Sequence, residues 1–235
     1  MLRTRRPLAG LLIATATLAL AGCTSLELDP ANLPAGTELI ATAGTALRSV
    51  TSAHLTFTVH GALPGVPMRS AQIDLDSHGT AKGSVKIADA GAASEIDFVA
   101  VKGAYYVRRQ AGGYQRVASA AAINLFDPAV VLNPNIGLAK VTDNLENPTT
   151  TAKETVDGVQ CYKLTGTITV NIVSALVPGI RSNVDATVWL AQDGAHLPVR
   201  EEFTVPGKQP ATVDMDISNV DASISVTAPN TAAAG

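Results

Sequence analysis

The chain has 235 residues, of which 46% are hydrophobic, 16% charged and 4% aromatic, and its net charge at pH 7 is −3. This composition suits one globular domain with a generous core, and the lack of a basic patch argues against a nucleic-acid partner. Because aromatic residues are scarce, the interior must consist mainly of Val, Ile, Leu and Ala. It forms either a solid aliphatic core or a cavity lined by aliphatic side chains.

The N-terminal segment has the features of a bacterial secretion signal. A basic start, "LRTRRP", precedes an apolar run of thirteen residues from Leu8 to Leu20. A transmembrane helix needs about 20 residues, so this run is typical of a signal peptide. It ends in "LAGC", where small residues precede Cys23 as in a lipobox. We predict that Cys23 is acylated and anchors the protein at the extracytoplasmic face of the cell membrane. An exported protein with an incidental Cys23 is the alternative.

One folded domain is predicted behind this anchor. Residues 1–22 are the signal peptide, residues 23–36 are the lipidated cysteine and a flexible tether, residues 37–227 form the domain, and residues 228–235 are a disordered tail. No later apolar run approaches the length of a membrane span. The mature chain is therefore expected to lack a transmembrane helix.

Alternating apolar and polar residues predict strands on both sides of the domain's middle. "HLTFTVHG" places Leu55, Phe57 and Val59 on one side and its histidines on the other, solvated side. Further strands are predicted in "AQIDLDSHGTAKGSVKIADA", "EIDFVAVKGAYYVRR", "YKLTGTITV", "TVDMDISNV" and "ASISVT". "DATVWLAQDGAHLPVREEFTV" predicts a hairpin that turns tightly at Asp193 and Gly194. Short connections imply antiparallel pairing.

Helices are predicted at three places. Residues 37–50 carry an apolar stripe, with Thr37 as the N-cap. In the middle of the chain Asp127 caps a helix that starts at Pro128, breaks at Asn133 and resumes in "IGLAKVTDNL". "NIVSALVPGI" is a third short helix. Strands around a helical middle indicate an α+β fold with helices packed on one face of a curved sheet.

A search for reactive groups gives no sign of an enzyme. The chain contains no G-x-S-x-G, S-x-x-K, H-E-x-x-H, G-x-G-x-x-G, Walker or C-x-x-C motif. We predict no catalytic residue, no metal site and no cofactor. The carboxylate pairs, Glu201 with Glu202 and Asp214 with Asp216, are interpreted as solvated strand residues.

Cys161 has no partner for an intramolecular disulfide once Cys23 is acylated. It shares strand parity with Lys163 and Thr165, so we expect it to be partly exposed. The four histidines show no spacing that would activate it. We interpret Cys161 as an inert strand residue.

Three stretches, "SAHLTFTVHGALPGV", "FDPAVVLNPNIGLAKV" and "ATVWLAQDGAHLPV", carry a family resemblance. Through nearly the whole mature chain, the sequence resembles the actinobacterial lipoprotein family of LppX, LprA, LprF and LprG, most closely LprG. The resemblance implies a curved antiparallel β half-barrel of the LolA/LolB/LppX kind. Helices would cover its concave face and enclose a hydrophobic cavity.

The resemblance also implies a function. Members of this family bind acylated lipids and glycolipids, such as phosphatidylinositol mannosides, lipoglycans and triacylglycerols, and carry them from the cytoplasmic membrane toward the outer envelope. A major-facilitator transporter is the implied protein partner. Residues 37–227 would then be a single lipid-binding domain.

The cavity wall can be assigned from the same resemblance. The cavity-facing strand of the family corresponds here to "GSVKI", so Val85 is the first candidate. Strand parity adds Ile87, Phe98 and Ala100, and the helical stripe adds Leu138, Val141 and Leu145. Each of these residues could equally be an ordinary core residue. Two other functions stay open, an envelope scaffold or adhesin with a solid core and no lipid cargo, and a lipid hydrolase whose site carries no known motif.

Overall fold

The computed structural model describes residues 33–63, 66–89, 92–109, 112–118 and 128–231. The predicted signal peptide, Cys23, most of the tether, the Asp127 cap and residues 232–235 lie outside these ranges. Within them, the chain forms four α-helices and eleven strands. The helices are α1 (Gly36–Leu47), α2 (Pro128–Val131), α3 (Leu138–Asp143) and α4 (Val170–Leu176). The strands are β1 (Ser52–His60), β2 (Met68–Asp76), β3 (Ala81–Asp89), β4 (Ala92–Val101), β5 (Ala104–Arg109), β6 (Gln115–Val117), β7 (Glu146–Val156), β8 (Val159–Ile168), β9 (Val184–Ala191), β10 (Pro198–Val205) and β11 (Ala211–Ser218).

The described strands form one curved, unclosed antiparallel sheet, in the order β6-β5-β4-β3-β2-β1-β11-β10-β9-β8-β7. Successive strands pair with each other from β1 to β6 and from β7 to β11, β6 and β7 form the two edges, and β1 joins the two halves by pairing with β11. Short connections join most of these pairs, because an antiparallel pair needs only a few connecting residues, whereas helix α4 lies between β8 and β9. The predicted α+β fold with a curved antiparallel sheet is confirmed.

The two faces of the sheet differ in what covers them. On the inner face, defined as the side that packs against the helices, Leu55 and Phe57 of β1 are fully buried, as predicted. They belong to a hydrophobic cluster that also contains Leu39 of α1, Val141 of α3 and Val173 of α4. The intervening strand residues form the outer face, which carries most of the polar side chains. Period-two alternation therefore places the aliphatic residues under the helices.

Three details of the predicted elements are wrong. Helix α1 begins after Ala35, so Thr37 lies within its first turn and does not cap it. Docking on β7 sets this start, since a Cβ on Gly36 would lie 2.4 Å from the carbonyl oxygen of Pro148. The β9–β10 hairpin is real, but residues 192–197 form a loop longer than a tight turn.

The third error concerns "ASISVT", which forms no strand in the described part of the chain. β11 lies between β1 and β10, so the chain that leaves it finds no free edge beside it. The segment is instead held at its start, where Asp221 accepts hydrogen bonds from the backbone N–H and the hydroxyl of Thr51, at 2.7 and 2.8 Å.

Candidate functional site: the helix-covered inner face

The predicted wall residues on β3 and β4 lie on the inner face. Val85 is fully buried and stands between Ala71 of β2 and Ile96 of β4. Phe98 and Ala100 are also buried, and Ile87 packs against the same cluster while keeping some exposure. The four residues therefore share one aliphatic surface.

The predicted residues of the middle helix face this surface from the opposite side. Leu138 and Val141 of α3 and Leu145 just beyond it are buried in the same cluster as Val85. Helix α3 packs on α1, where Asp143 forms a salt bridge with Arg48. All seven predicted residues thus come together between the sheet and its helical cover.

The break between α2 and α3 is a defined turn. The carbonyl oxygen of Asn133 accepts a hydrogen bond from the Gly137 N–H at 2.8 Å, and its side-chain oxygen accepts one from the Asn135 N–H at 2.9 Å. Gly137 has no room for a side chain, because a Cβ there would lie 2.1 Å from the Val131 carbonyl oxygen. At the tip of the turn Ile136 is 44% exposed. In this part of the helical cover, α2 and α3 are therefore two short helices separated by a tightly packed turn.

The prediction that Glu201 is solvated is wrong. Its side chain is fully buried on the inner face, and its carboxyl Oε1 accepts a hydrogen bond from the Thr142 hydroxyl of α3 at 2.9 Å. Burial raises the pKa of Glu201 to about 7, while the hydrogen bond from Thr142 opposes that rise. Its strand parity with buried Phe203 is the sequence signal that could have revealed this position.

The remaining carboxylates of this region lie on the outer face. Glu202 is half-buried there. Asp214 lies 3.1 Å from the His60 ring nitrogen, and Asp216 accepts a hydrogen bond from Arg200. These contacts lie on the outer face and do not form part of the aliphatic surface.

Cys161 is buried, which corrects the expectation of partial exposure. Its parity is the predicted one, but Trp189 and Val156 cover it in a small hydrophobic cluster on the outer face. Burial raises the pKa of the Cys161 thiol, so the thiolate is disfavoured.

In the described ranges, no three His, Cys, Asp or Glu side chains are grouped closely enough to hold a metal ion. The helices described here are all too short or too polar to cross a membrane.

The fold and this interior define an open antiparallel half-barrel whose aliphatic inner face is covered by helices. Two solved structures share the fold, LprF from Mycobacterium bovis and LppX from Mycobacterium tuberculosis. Their TM-scores are 0.74 and 0.62, each at 24% identity, over 83% and 85% of this chain and 96% and 100% of theirs. The model of the LppX_LprAFG lipoprotein family matches residues 35–226. The chain belongs to the LppX_LprAFG lipoprotein family.

Relatives in this family extend over nearly the whole chain. The lipoarabinomannan carrier protein LprG of Mycobacterium leprae is 30% identical over 222 residues, which cover 92% of this chain and 91% of that protein. The protein of the same name in Mycolicibacterium smegmatis is 30% identical over 230 residues, or 93% of each chain.

Proposed function

We propose that this protein is a noncatalytic envelope lipoprotein that carries acylated lipids between the inner face of its sheet and the covering helices. The observation that carries the proposal is the convergence of the predicted wall residues of β3, β4 and α3 in one aliphatic cluster. The description of its relatives as lipoarabinomannan carriers supports a lipid or glycolipid cargo. Phosphatidylinositol mannosides, lipoglycans and triacylglycerol-like lipids are the proposed cargo class.

The energetics of acyl chains explain why such a carrier needs no chemistry. Hydrocarbon burial is worth roughly 0.8 kcal/mol per methylene, so a palmitoyl chain is held in a bilayer by on the order of 10 kcal/mol. Passage through water is therefore very slow without a protein. An aliphatic interior replaces the bilayer during transit, and movable helices give the chain a way in. The proposed direction is from the cytoplasmic membrane toward the outer envelope.

The test compares one bulky substitution on the two faces of β3. Val85→Trp adds a large ring to the inner face, and Lys86→Trp adds the same ring to the exposed outer face. Each purified variant is extracted with organic solvent for mass spectrometry, and its melting temperature is measured after delipidation. We expect Val85→Trp to lose most bound acylated lipid with near-parental stability, and Lys86→Trp to change neither.

A solid-cored scaffold or adhesin gives the opposite result. In a close-packed core the added ring of Val85→Trp destabilises the fold, typically by about 1 to 3 kcal/mol, with no lipid to lose. Parental protein that yields no acylated lipid on extraction, together with that destabilisation, rejects the carrier.

Acylation of Cys23 is the proposed attachment to the membrane, since the lipobox lies apart from the folded domain. Cys23→Ala is expected to release a folded, lipid-binding protein from the membrane fraction. A variant that stays in the membrane fraction contradicts the anchor.

A major-facilitator transporter is the proposed source of cargo. Photo-crosslinking in cells, from a crosslinking residue placed at the exposed position of Ile136, tests for this partner.

A further inference from the structure

The inner face contains a carboxyl group that the carriage of acyl chains alone does not use. Among the Asp, Glu, His, Lys and Arg residues that the structure describes, Glu201 is the one whose side chain is fully buried. Its cross-strand neighbours are Val188 of β9 and Met215 of β11, both buried. Phe203, two residues further along β10, is fully buried on the same face. Glu201 thus lies among buried apolar residues on the inner face of the sheet.

One oxygen of this carboxyl group has a partner and the other has none. The Thr142 hydroxyl donates to Oε1 at 2.9 Å. Oε2 is buried and makes no hydrogen bond to any described residue. A buried polar atom without a partner costs free energy, so such atoms are rare in native proteins and call for an explanation. The hydrogen bond from Thr142 holds the carboxyl group of β10 against α3, the helix that carries Leu138 and Val141.

The protonation state decides what Oε2 can bind. Burial raises the pKa of Glu201 to about 7, so much of the population keeps its proton at neutral pH. Because Thr142 donates to Oε1, the proton belongs on Oε2, which is then a hydrogen-bond donor without an acceptor. The groups that surround it do not change this state. On α3, Lys140 is exposed and Asp143 pairs with Arg48, while Glu202 lies on the opposite face of β10.

We propose that Glu201 recognises an ester carbonyl of the bound lipid by donating a hydrogen bond from Oε2, which makes the carrier selective for ester-linked acyl chains. The inference rests on the proposed function. The chemistry fits because an acyl chain offers no polar atom except at its ester, where the carbonyl oxygen is an acceptor without a hydrogen of its own. An ether-linked alkyl chain of the same length lacks that carbonyl. Thr142 is the positioning residue that holds the carboxyl group in place.

The test is a competition between two lipids that differ only in this group. Delipidated full-length protein is incubated with equal amounts of dipalmitoyl phosphatidylinositol and its dihexadecyl ether analogue. The ratio of the two extracted lipids is measured by mass spectrometry and corrected for the free pool. For one hydrogen bond we expect the parental protein to prefer the ester by about threefold to tenfold. Glu201→Gln keeps an N–H donor and is expected to keep most of this preference.

Glu201→Leu removes the donor and is expected to bring the ratio close to one. Glu202→Leu, on the outer face of the same strand, is the matched control and leaves the parental ratio unchanged. Raising the pH to about 9 ionises Glu201 and abolishes the preference in the parental protein but not in Glu201→Gln. That pH contrast also decides the matter if Glu201→Leu does not fold.

Each remaining outcome counts against the inference. A ratio of one in the parental protein, or a preference that persists in Glu201→Leu, shows that Oε2 does not recognise the ester and overturns the inference. In that case bound lipid is still present, and the carrier function stands. Absence of both lipids from every variant overturns the carrier function and this inference together.

Discussion

Glu201 and Glu154 lie on opposite faces of the same sheet, and the two faces shift their pKa values in opposite directions. On the inner face, burial among aliphatic side chains raises the pKa of Glu201 to about 7. On the outer face, the Trp189 indole N–H donates to Glu154 at 2.7 Å, and Lys163 lies 3.0 Å from its other oxygen. These partners lower the pKa of Glu154, although partial burial opposes them.

The opposite pKa shifts of Glu201 and Glu154 show that the two faces of the sheet are different environments for a carboxylate. Several polar side chains on the outer face pair with each other, as Arg200 does with Asp216 and Arg108 with Asp97, although Oδ1 of Asp214 is buried there without a partner. The inner face is lined mainly by apolar side chains, and Thr142 is the hydrogen-bond partner that Glu201 has there among the described residues. An ionised carboxylate is stabilised on one face and penalised on the other. The inner face therefore suits acyl chains, and the outer face suits water.

Loss of a large inner-face side chain is expected to have the greatest effect on stability. Phe203→Ala deletes a fully buried ring and should lower the free energy of unfolding by about 3 to 5 kcal/mol. Val159→Ala on β8, where the side chain is 39% exposed, is the control and should change it by less than about 0.5 kcal/mol. Urea unfolding of delipidated protein measures both. A cost below about 1 kcal/mol for Phe203→Ala means that this wall is not packed.

The inner glutamate should make stability fall as pH rises. Unfolded Glu201 ionises near its ordinary pKa of 4.5, whereas the folded protein keeps the proton up to about 7. Stability relative to Glu201→Gln is therefore undiminished below pH 4.5 and decreases by about 3 kcal/mol by pH 7, after which it is constant. Unfolding free energies of both proteins across this range test it. Parallel pH profiles would show that Glu201 ionises freely in the folded state.

The same substitution on the outer face should have the opposite sign and a smaller size. Because the pKa of folded Glu154 is lowered, its contribution is present above the unfolded pKa and disappears as pH falls through the folded pKa. Glu154→Gln should therefore cost stability at pH 7, by about 1 kcal/mol or less because the pair is solvent-screened. The cost should vanish in acid. A stabilising Glu154→Gln would remove the contrast between the faces.

Cys161 should give the smallest effect. The thiol is buried beneath Trp189 and makes one weak hydrogen bond, to the Val159 carbonyl oxygen at 3.4 Å. A buried free cysteine behaves as a small apolar residue, so Cys161→Val should change stability by less than about 0.5 kcal/mol. Thiol labelling of the native protein should be slow, and rapid labelling would show that the outer cluster opens.

Strands with one buried face could be predicted from the sequence, and edge strands could not. The alternation of β1 and of the β2–β3 hairpin is imposed by aliphatic packing on one side only. β7 escaped detection because it has one neighbouring strand and, apart from Val156, carries no buried residue. "ASISVT" shows the reverse, since alternation cannot make a strand where no edge is free.

The candidate site, like the fold, could be predicted only in part from the sequence. The family resemblance identified Val85, and parity and the helical stripe identified the other apolar residues that meet in the interior, including Val141. Glu201 was missed because residue type was given more weight than position. Its partner Thr142 lies on a different element, 59 residues away in the chain, and such a contact leaves no local pattern. Whether the interior opens to hold lipid depends on packing, which periodicity does not report.

The pairing of β1 with β11 has a consequence for how the protein is made. Leu55 lies opposite Ile217, whereas the other strand pairs join neighbours in the described sequence. During synthesis the chain emerges from its N-terminus, so β1 can pair with β2 early but presents a bare hydrogen-bonding edge until β11 arrives. Unpaired edges invite association with other chains, and long-range pairings form slowly. The last strand to be synthesised is thus the one that joins the two halves of the sheet.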